Sequence, residues 1–115
     1  MNLDDLTARL RAFARERDWE QFHAPKNLAM ALAVEASELM EHFQWLTERQ
    51  SGELSPEVKQ KVAAELADVF IYTVRLADRL GVDLAPAVEA KIIANAAKYP
   101  VEKSRGSAKK YTELE

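Results

Sequence analysis

The sequence predicts an all-α protein: a four-helix bundle built on a long antiparallel helix hairpin and completed by oligomerisation. Apolar residues recur every three or four positions in four segments, which is the periodicity of helices. Only three glycines and four prolines interrupt the 115 residues, and no segment indicates a strand. A chain of this length forms one domain and buries only about two thirds of its unfolded surface, so association of copies would stabilise it.

The first two helices follow from apolar spacing and from residues suited to helix starts. The first helix is predicted over about residues 3–17, with Asn2 as its cap and an apolar stripe formed by Leu3, Leu6, Leu10 and Phe13. A short connection leads to Pro25, which fits the first turn of the second helix. That helix has no internal glycine or proline, and we predict it over about residues 26–47.

The third helix has clear signals at both ends. Ser55 followed by Pro56 is typical of a cap and a first turn, and Gly81 is typical of a C-terminal stop. These residues predict a helix over about residues 56–80. Arg75 and Arg79 suit the negative end of its dipole.

The fourth helix is predicted over about residues 84–98, with Asp83 as its cap and Pro100 beyond its end. The helical domain therefore spans about residues 1–100. The remaining residues, about 101–115, form a polar tail that is basic in its middle. Without partners, such a tail is expected to be mobile.

Four acids on the two longest predicted helices are the most informative feature. Glu35 and Glu38 are three residues apart and share one helix face, and Glu65 and Asp68 do the same on the next helix. Residues equally far from the turn around Gly52 face each other in an antiparallel hairpin, so Glu35 lies opposite Asp68 and Glu38 opposite Glu65. Glu35 and Glu65 also fall within apolar stripes, where an uncompensated carboxylate is unfavourable. We therefore expect a cation to be held by all four.

Carboxylate ligands without histidine or cysteine favour a hard cation such as magnesium, manganese or calcium. Magnesium usually keeps positions for water and phosphate oxygens, which suggests a phosphorylated substrate. A neighbouring acid would take a proton from the attacking water; the spacing does not identify it, and Glu38 is our choice. Either acid pair alone also occurs by chance on solvated helices, but the matching register favours a metal site.

The composition excludes several function classes. There is no cysteine, so the chain has no disulfide, thiolate metal site or cysteine nucleophile. The net charge of −3 lacks the basic excess of a protein that binds duplex nucleic acid. No apolar run approaches the roughly 20 residues that span a bilayer. We expect a cytoplasmic protein with neither nucleic-acid nor membrane partners.

The acid motifs, Glu35-Ala-Ser-Glu38 and Glu65-Leu-Ala-Asp68, resemble the E-x-x-E and E-x-x-D motifs of the MazG-like superfamily of nucleotide pyrophosphohydrolases. The dCTP pyrophosphatase branch is similar over about residues 13–114, through RDWEQFHAPKNLAMALAVEASELMEHFQW, ELADVFIYTVRLADRLGVDL, KYP and the terminal KYTEL. The resemblance implies a helical homotetramer, built as a dimer of dimers. It also implies magnesium-dependent cleavage of a nucleoside triphosphate, foremost dCTP, to the monophosphate and pyrophosphate, with manganese as a substitute ion.

The same resemblance assigns metal ligation to the four acids and base contacts to Trp19, Trp45 and Tyr72. Trp45 follows Glu38 by about two turns on the predicted second helix, so it would project from the same face. For the two tryptophans the alternative role is core or subunit packing. The branch carries a histidine where this chain has Leu10, a departure that concerns base recognition.

Phosphate contacts are expected from the predicted fourth helix, where Lys91, Asn95 and Lys98 share a face and would neutralise a triphosphate. The same face would equally serve as a solvated surface. Lys109 and Lys110 of the tail would either close over the phosphates or belong to a disordered end.

Two alternative functions follow from the same residues. A sibling enzyme with this metal site would act on a broader set of triphosphates or on dUTP, because only the base pocket separates these substrates. A non-catalytic helical interaction module is the second alternative, and the four intact acids argue against it.

Overall fold

The computed structural model describes all 115 residues, and every regular element is helical, as predicted. The helices are α1 (Leu3–Glu16), α2 (Pro25–Glu41), α3 (Glu48–Ser51), α4 (Pro56–Leu80), α5 (Leu84–Lys98) and α6 (Val101–Ser104), with single 3₁₀ turns at Glu20–Phe22 and Tyr111–Glu113. None of the helices combines the length and apolar character that crossing a bilayer requires. The chain forms two compact units, Met1–Val82 and Asp83–Glu115.

In the first unit, α2 and α4 pack against each other as the antiparallel hairpin that the sequence predicts. Two contacts show that the helices are antiparallel. His42, just after the end of α2, lies beside Glu65 of α4, whereas Glu35, earlier in α2, lies near Asp68, later in α4. Helix α1 packs on α4 as well. The Asn2 side-chain oxygen caps α1 by accepting from the backbone N–H groups of Asp4 and Asp5.

The predicted extent of the second helix is wrong at its C-terminal end. Helix α2 ends at Glu41, and residues 42–46 form turns rather than helix. Thr47 starts a separate helix: its hydroxyl accepts from the Gln50 N–H at 3.1 Å, and the Gln50 side chain accepts from the Thr47 N–H at 3.0 Å. This capping box requires an extended backbone at Thr47, with ψ of 163°, so α2 cannot continue through it.

The predicted bounds of the long helix α4 are confirmed. The Ser55 hydroxyl accepts from the Val58 N–H at 3.3 Å, and Pro56 occupies the first turn. At the other end Gly81 has a φ of 68°, a left-handed conformation that glycine adopts without the Cβ penalty. A helix of 25 residues therefore carries Glu65, Asp68 and Tyr72 in one rigid frame.

The first unit has a small apolar core. Its buried apolar residues are Ala14, Leu28, Val62, Val74 and Ala77. Many large apolar side chains remain exposed along the chain, among them Met30, Val34 and Met40 on α2, and Leu66 and Phe70 on α4. A single copy thus leaves much apolar surface in water, which is unusual for a monomeric protein.

In the second unit, α5 has the predicted bounds and the following residues are partly helical. The Tyr111 ring packs edge-on against Tyr99, with centroids 6.1 Å apart, and Lys98 Nζ lies 4.8 Å from the centre of the Tyr111 ring. The Ser104 hydroxyl donates to the Pro100 carbonyl at 2.6 Å. These contacts connect the last residues of the chain to the end of α5.

Candidate metal site and adjoining cavity

Three glutamates converge where α2 and α4 pack together. One carboxylate oxygen from each of Glu35, Glu38 and Glu65 lies within 4.8 Å of the other two. The three-residue spacing of Glu35 and Glu38 brings both to the face of α2 that meets α4. Three of the four predicted ligands therefore form one group.

Two of these carboxylates have an oxygen without any compensation. Glu35 Oε2 and Glu65 Oε2 are buried and have no hydrogen-bond partner. Burial raises the pKa of Glu35 to about 7, and the neighbouring carboxylates of Glu38, Asp68 and Glu65 raise it further. Glu35 therefore holds a proton to a higher pH than an ordinary glutamate does.

These residues fit a hard divalent cation. The donors are all carboxylate oxygens, and the two unpartnered buried oxygens are the atoms that a cation would satisfy. The nearest basic side chain is His42, whose Nε2 is 3.8 Å from Glu65 Oε1, too far for a hydrogen bond. A metal ion explains the group better than an internal ion pair does.

Asp68, the fourth predicted ligand, lies beside this group on α4. Its charge contributes to the raised pKa of Glu35. Asp68 also lines a cavity of about 260 Å³ between α1, the residues after α1, and α4, whose walls are Leu10, Phe13, Ala14, Trp19, His23, Asp68, Ile71, Tyr72 and Arg75. Asp68 therefore joins the acidic group to an aromatic-walled cavity.

Two of the three aromatic residues predicted to contact a base line this cavity. Trp19 packs edge-on against Phe13 with centroids 5.8 Å apart, and Tyr72 lies on the same wall of α4 as Asp68, one turn further on. Trp45 does not line it. Because α2 ends at Glu41, the predicted position of Trp45 two helical turns beyond Glu38 is wrong, and its side chain is 87% exposed in the following turn.

The cavity also contains a residue whose role the sequence did not indicate. Arg75 is only 3% exposed, although the sequence suggests merely a helix-end arginine. Its Nη1 donates to Asp78 Oδ2 at 3.1 Å, and its Nη2 lies 3.2 Å from Nδ1 of His23. The one available signal was spacing, since Arg75 follows Tyr72 by three residues and so shares its helix face.

The contact with Arg75 determines the state of His23. A guanidinium has donors only, so Nδ1 of His23 accepts and the ring proton sits on Nε2. Burial lowers the pKa of His23, and the charges of Arg75 and Arg79 lower it further. The imidazole that lines the cavity is therefore neutral near neutral pH.

The three residues predicted to contact phosphates, Lys91, Asn95 and Lys98, lie exposed on α5 in the second unit. Lys98 packs over the Tyr111 ring, as described above. Their contact with a triphosphate stays a prediction.

Comparison with known proteins places these features in a family context. Residues 30–114 match the MazG-like family. The chain is 49% identical to rat dCTP pyrophosphatase 1 over 114 residues, covering 97% of this chain and 67% of that protein, and 47% identical to the human protein over the same length. The crystal structure of a pyrophosphatase from Archaeoglobus fulgidus superposes with a TM-score of 0.80 at 38% identity, covering 84% of this chain and 91% of that one.

Proposed function

The chain belongs to the MazG-like family, and on that premise we propose that it is a magnesium-dependent dCTP pyrophosphatase. The reaction is hydrolysis of dCTP, and of related modified pyrimidine deoxynucleotides, to the monophosphate and pyrophosphate. One observation carries the proposal: three convergent glutamates, two with unpartnered buried oxygens, adjoin an aromatic-walled cavity through Asp68. The relatives named dCTP pyrophosphatase 1 support the choice of substrate.

In this proposal the four acids hold the metal ion, and the metal ion in turn binds the phosphates of the substrate. Glu35, Glu38 and Glu65, whose carboxylates converge, would bind the ion, and Asp68, which lines the cavity, would be the fourth ligand. A bound magnesium ion would neutralise charge at the phosphates and make a bound water more acidic. Manganese would substitute, since it takes the same oxygen ligands.

The cavity would receive the base. Trp19 and Tyr72 offer faces on which a pyrimidine stacks, and aromatic stacking contributes about 1–3 kcal/mol per base. Asp68 lies between this cavity and the glutamates. The deoxyribose, which links the base to the phosphates, would lie beside it. Lys91, Asn95 and Lys98 on α5 would neutralise the outer phosphates.

We propose further that the active form is a homotetramer, a dimer of dimers. The first unit has five buried apolar residues and leaves several large apolar side chains of α2 and α4 exposed. Association of copies would cover them. Trp45, 87% exposed and outside the cavity in one copy, would contact a base in such an assembly.

Two other functions remain to be tested against this one. A broader triphosphate pyrophosphatase or a dUTP pyrophosphatase would share the metal site and differ in the cavity. A non-catalytic helical module would have no use for two buried unpartnered carboxylate oxygens, which disfavours it.

The test is pyrophosphate release from a panel of canonical and modified triphosphates, with and without magnesium. We expect release with dCTP foremost, and none after chelation. Equal turnover of purine triphosphates would replace the dCTP assignment with the broader one. No release from any triphosphate would overturn the enzymatic proposal.

A further inference from the structure

Arg75 places a buried positive charge on the wall of the aromatic cavity. It is 3% exposed and is the only lysine or arginine among the residues that line this cavity. A guanidinium has five N–H donors. Two are accounted for by Asp78 and His23, and Nε is buried without a hydrogen-bond partner. Nη1 and Nη2 each carry a second N–H that neither Asp78 nor His23 takes, so the guanidinium keeps donors for a ligand that enters the cavity.

The surrounding residues hold Arg75 in place. Asp78 accepts from Arg75 Nη1 at 3.1 Å and is itself held by a two-point contact from Arg11, at 3.1 and 2.5 Å. On the other side, His23 Nδ1 accepts a hydrogen bond from Arg75 Nη2. These contacts constrain the guanidinium from two sides, so its direction is determined before any ligand enters.

A fixed set of donors distinguishes pyrimidine bases by their edges. Cytosine presents two neighbouring acceptors, O2 and N3, which a planar guanidinium matches with two parallel donors. Uracil and thymine carry a hydrogen on N3, so the same approach would bring two donors together. A buried arginine is therefore a discriminating group for cytosine over uracil.

We propose that Arg75 is the specificity-determining residue of this cavity, donating to O2 and N3 of a cytosine base that stacks beside Trp19 and Tyr72. The inference rests on the proposed dCTP pyrophosphatase function and names the group that reads the base. Leu10, on the α1 side of the cavity, has no hydrogen-bonding group, so it cannot read the base edge in place of Arg75.

The experiment compares dCTP with 3-deaza-dCTP, in which a C–H replaces the N3 acceptor, and with dUTP. The full-length wild type is assayed beside Arg75→Met, Arg75→Lys and a control, Arg79→Met, which removes an exposed arginine of the same helix that does not line the cavity. Loss of a hydrogen bond to a charged group predicts that wild-type kcat/KM falls by about 10- to 100-fold on the deaza substrate. In the control variant Arg79→Met, kcat/KM should fall by the same factor when 3-deaza-dCTP replaces dCTP.

In Arg75→Met, dCTP and 3-deaza-dCTP should be turned over equally, and the preference for dCTP over dUTP should shrink by about 10- to 100-fold. Arg75→Lys retains the charge without the planar fork and should keep only part of the preference. A folded Arg75→Met or Arg75→Lys enzyme that discriminates like the wild type would overturn the inference. Absence of dCTP hydrolysis by the wild type would instead refute the proposed function.

Discussion

Arg11 on α1 and Asp78 on α4 form a two-point ion pair, with Arg11 Nε 3.1 Å from Asp78 Oδ2 and Arg11 Nη2 2.5 Å from Oδ1. The same carboxylate accepts from the buried Arg75. Asp78 therefore links α1 to α4 and also balances the charge of Arg75 beside the cavity. Its pKa is held below the ordinary aspartate value, chiefly by the hydrogen bond from Arg11.

Asp78→Ala is expected to lower the free energy of unfolding by about 3 kcal/mol, because it leaves the Arg75 charge buried without its carboxylate. Arg11→Ala is the matched control: Arg75 keeps its partner, and the loss should be much smaller. Urea unfolding at neutral pH measures both. Equal losses in the two variants would contradict a special role for the buried charge.

The stabilisation by Asp78 also has a defined pH dependence. Because the folded-state pKa is lower than the unfolded one, the stabilisation is fully present above the ordinary value of 3.8. It is lost as the pH falls through the lower folded-state pKa. The difference in stability between wild type and Asp78→Ala should therefore shrink on acidification, and a constant difference would argue against the ion pair.

The sequence predicted the helices well where the signals are local, and missed features that depend on distant partners. Ser55, Pro56 and Gly81 determine the bounds of α4 through caps and backbone preferences. The end of α2 was missed although Thr47 and Gln50 form a recognisable capping box, because the lack of glycine and proline suggested one long helix.

Helical spacing and hairpin register likewise sufficed to group the glutamates. Arg75 could not be predicted in the same way. Its partner His23 is 52 residues away in sequence, and its neighbour Asp78 is oriented by Arg11, 67 residues distant. Such a role depends on how α1 packs against α4, which no local pattern contains.

Removal of single acids should abolish turnover while the helical fold survives. We expect no measurable pyrophosphate release from Glu38→Gln or Asp68→Asn, because each loses a metal ligand. Circular dichroism should stay that of the wild type, since the change removes one charge from a mutually repelling group. Near-normal activity in both variants would refute the assignment of ligands.

Metal binding should release a proton from Glu35. Its pKa is about 7 in the metal-free protein, and a bound cation would favour the ionised form. Magnesium affinity should therefore rise with pH up to about 7 and then level off. Calorimetry in two buffers of different ionisation enthalpy measures the released protons; no buffer dependence near pH 6 would show that Glu35 is already ionised.

In the metal-free protein, Glu35 makes stability depend on pH in the opposite direction from Asp78. Its folded-state pKa lies above the ordinary value of 4.5, so the folded protein binds the proton more tightly than the unfolded chain does. Stability of the metal-free protein should fall as the pH rises from about 4.5 to about 7. Glu35→Gln, which cannot ionise, should lack this component.

Trp19→Ala should raise KM for dCTP by about tenfold, as loss of about 1.4 kcal/mol of base stacking predicts. The magnesium concentration for half-maximal activity should not change, because Trp19 lies on the cavity wall and not among the glutamates. Steady-state kinetics at several magnesium concentrations separate the two effects. An unchanged KM would remove Trp19 from the base site.

The protein should be a tetramer in solution. Light scattering at micromolar concentration should give about four times the chain mass, because one copy leaves much apolar surface exposed. Ile93→Glu, at a 70% exposed position on α5, tests whether that face belongs to an interface by shifting the mass downward. A stable and active wild-type monomer would contradict the prediction.

The capping box at Thr47 and Gln50 makes the connection between α2 and α4 a self-contained piece of structure. Its backbone groups are satisfied locally, and Ser55 caps the next helix independently. Changes of sequence or length near Gly52 can therefore be absorbed without moving the glutamates, which lie on regular helices well away from the turn. For protein engineering, the segment around Gly52 is therefore the natural point at which to insert an epitope or to open new termini.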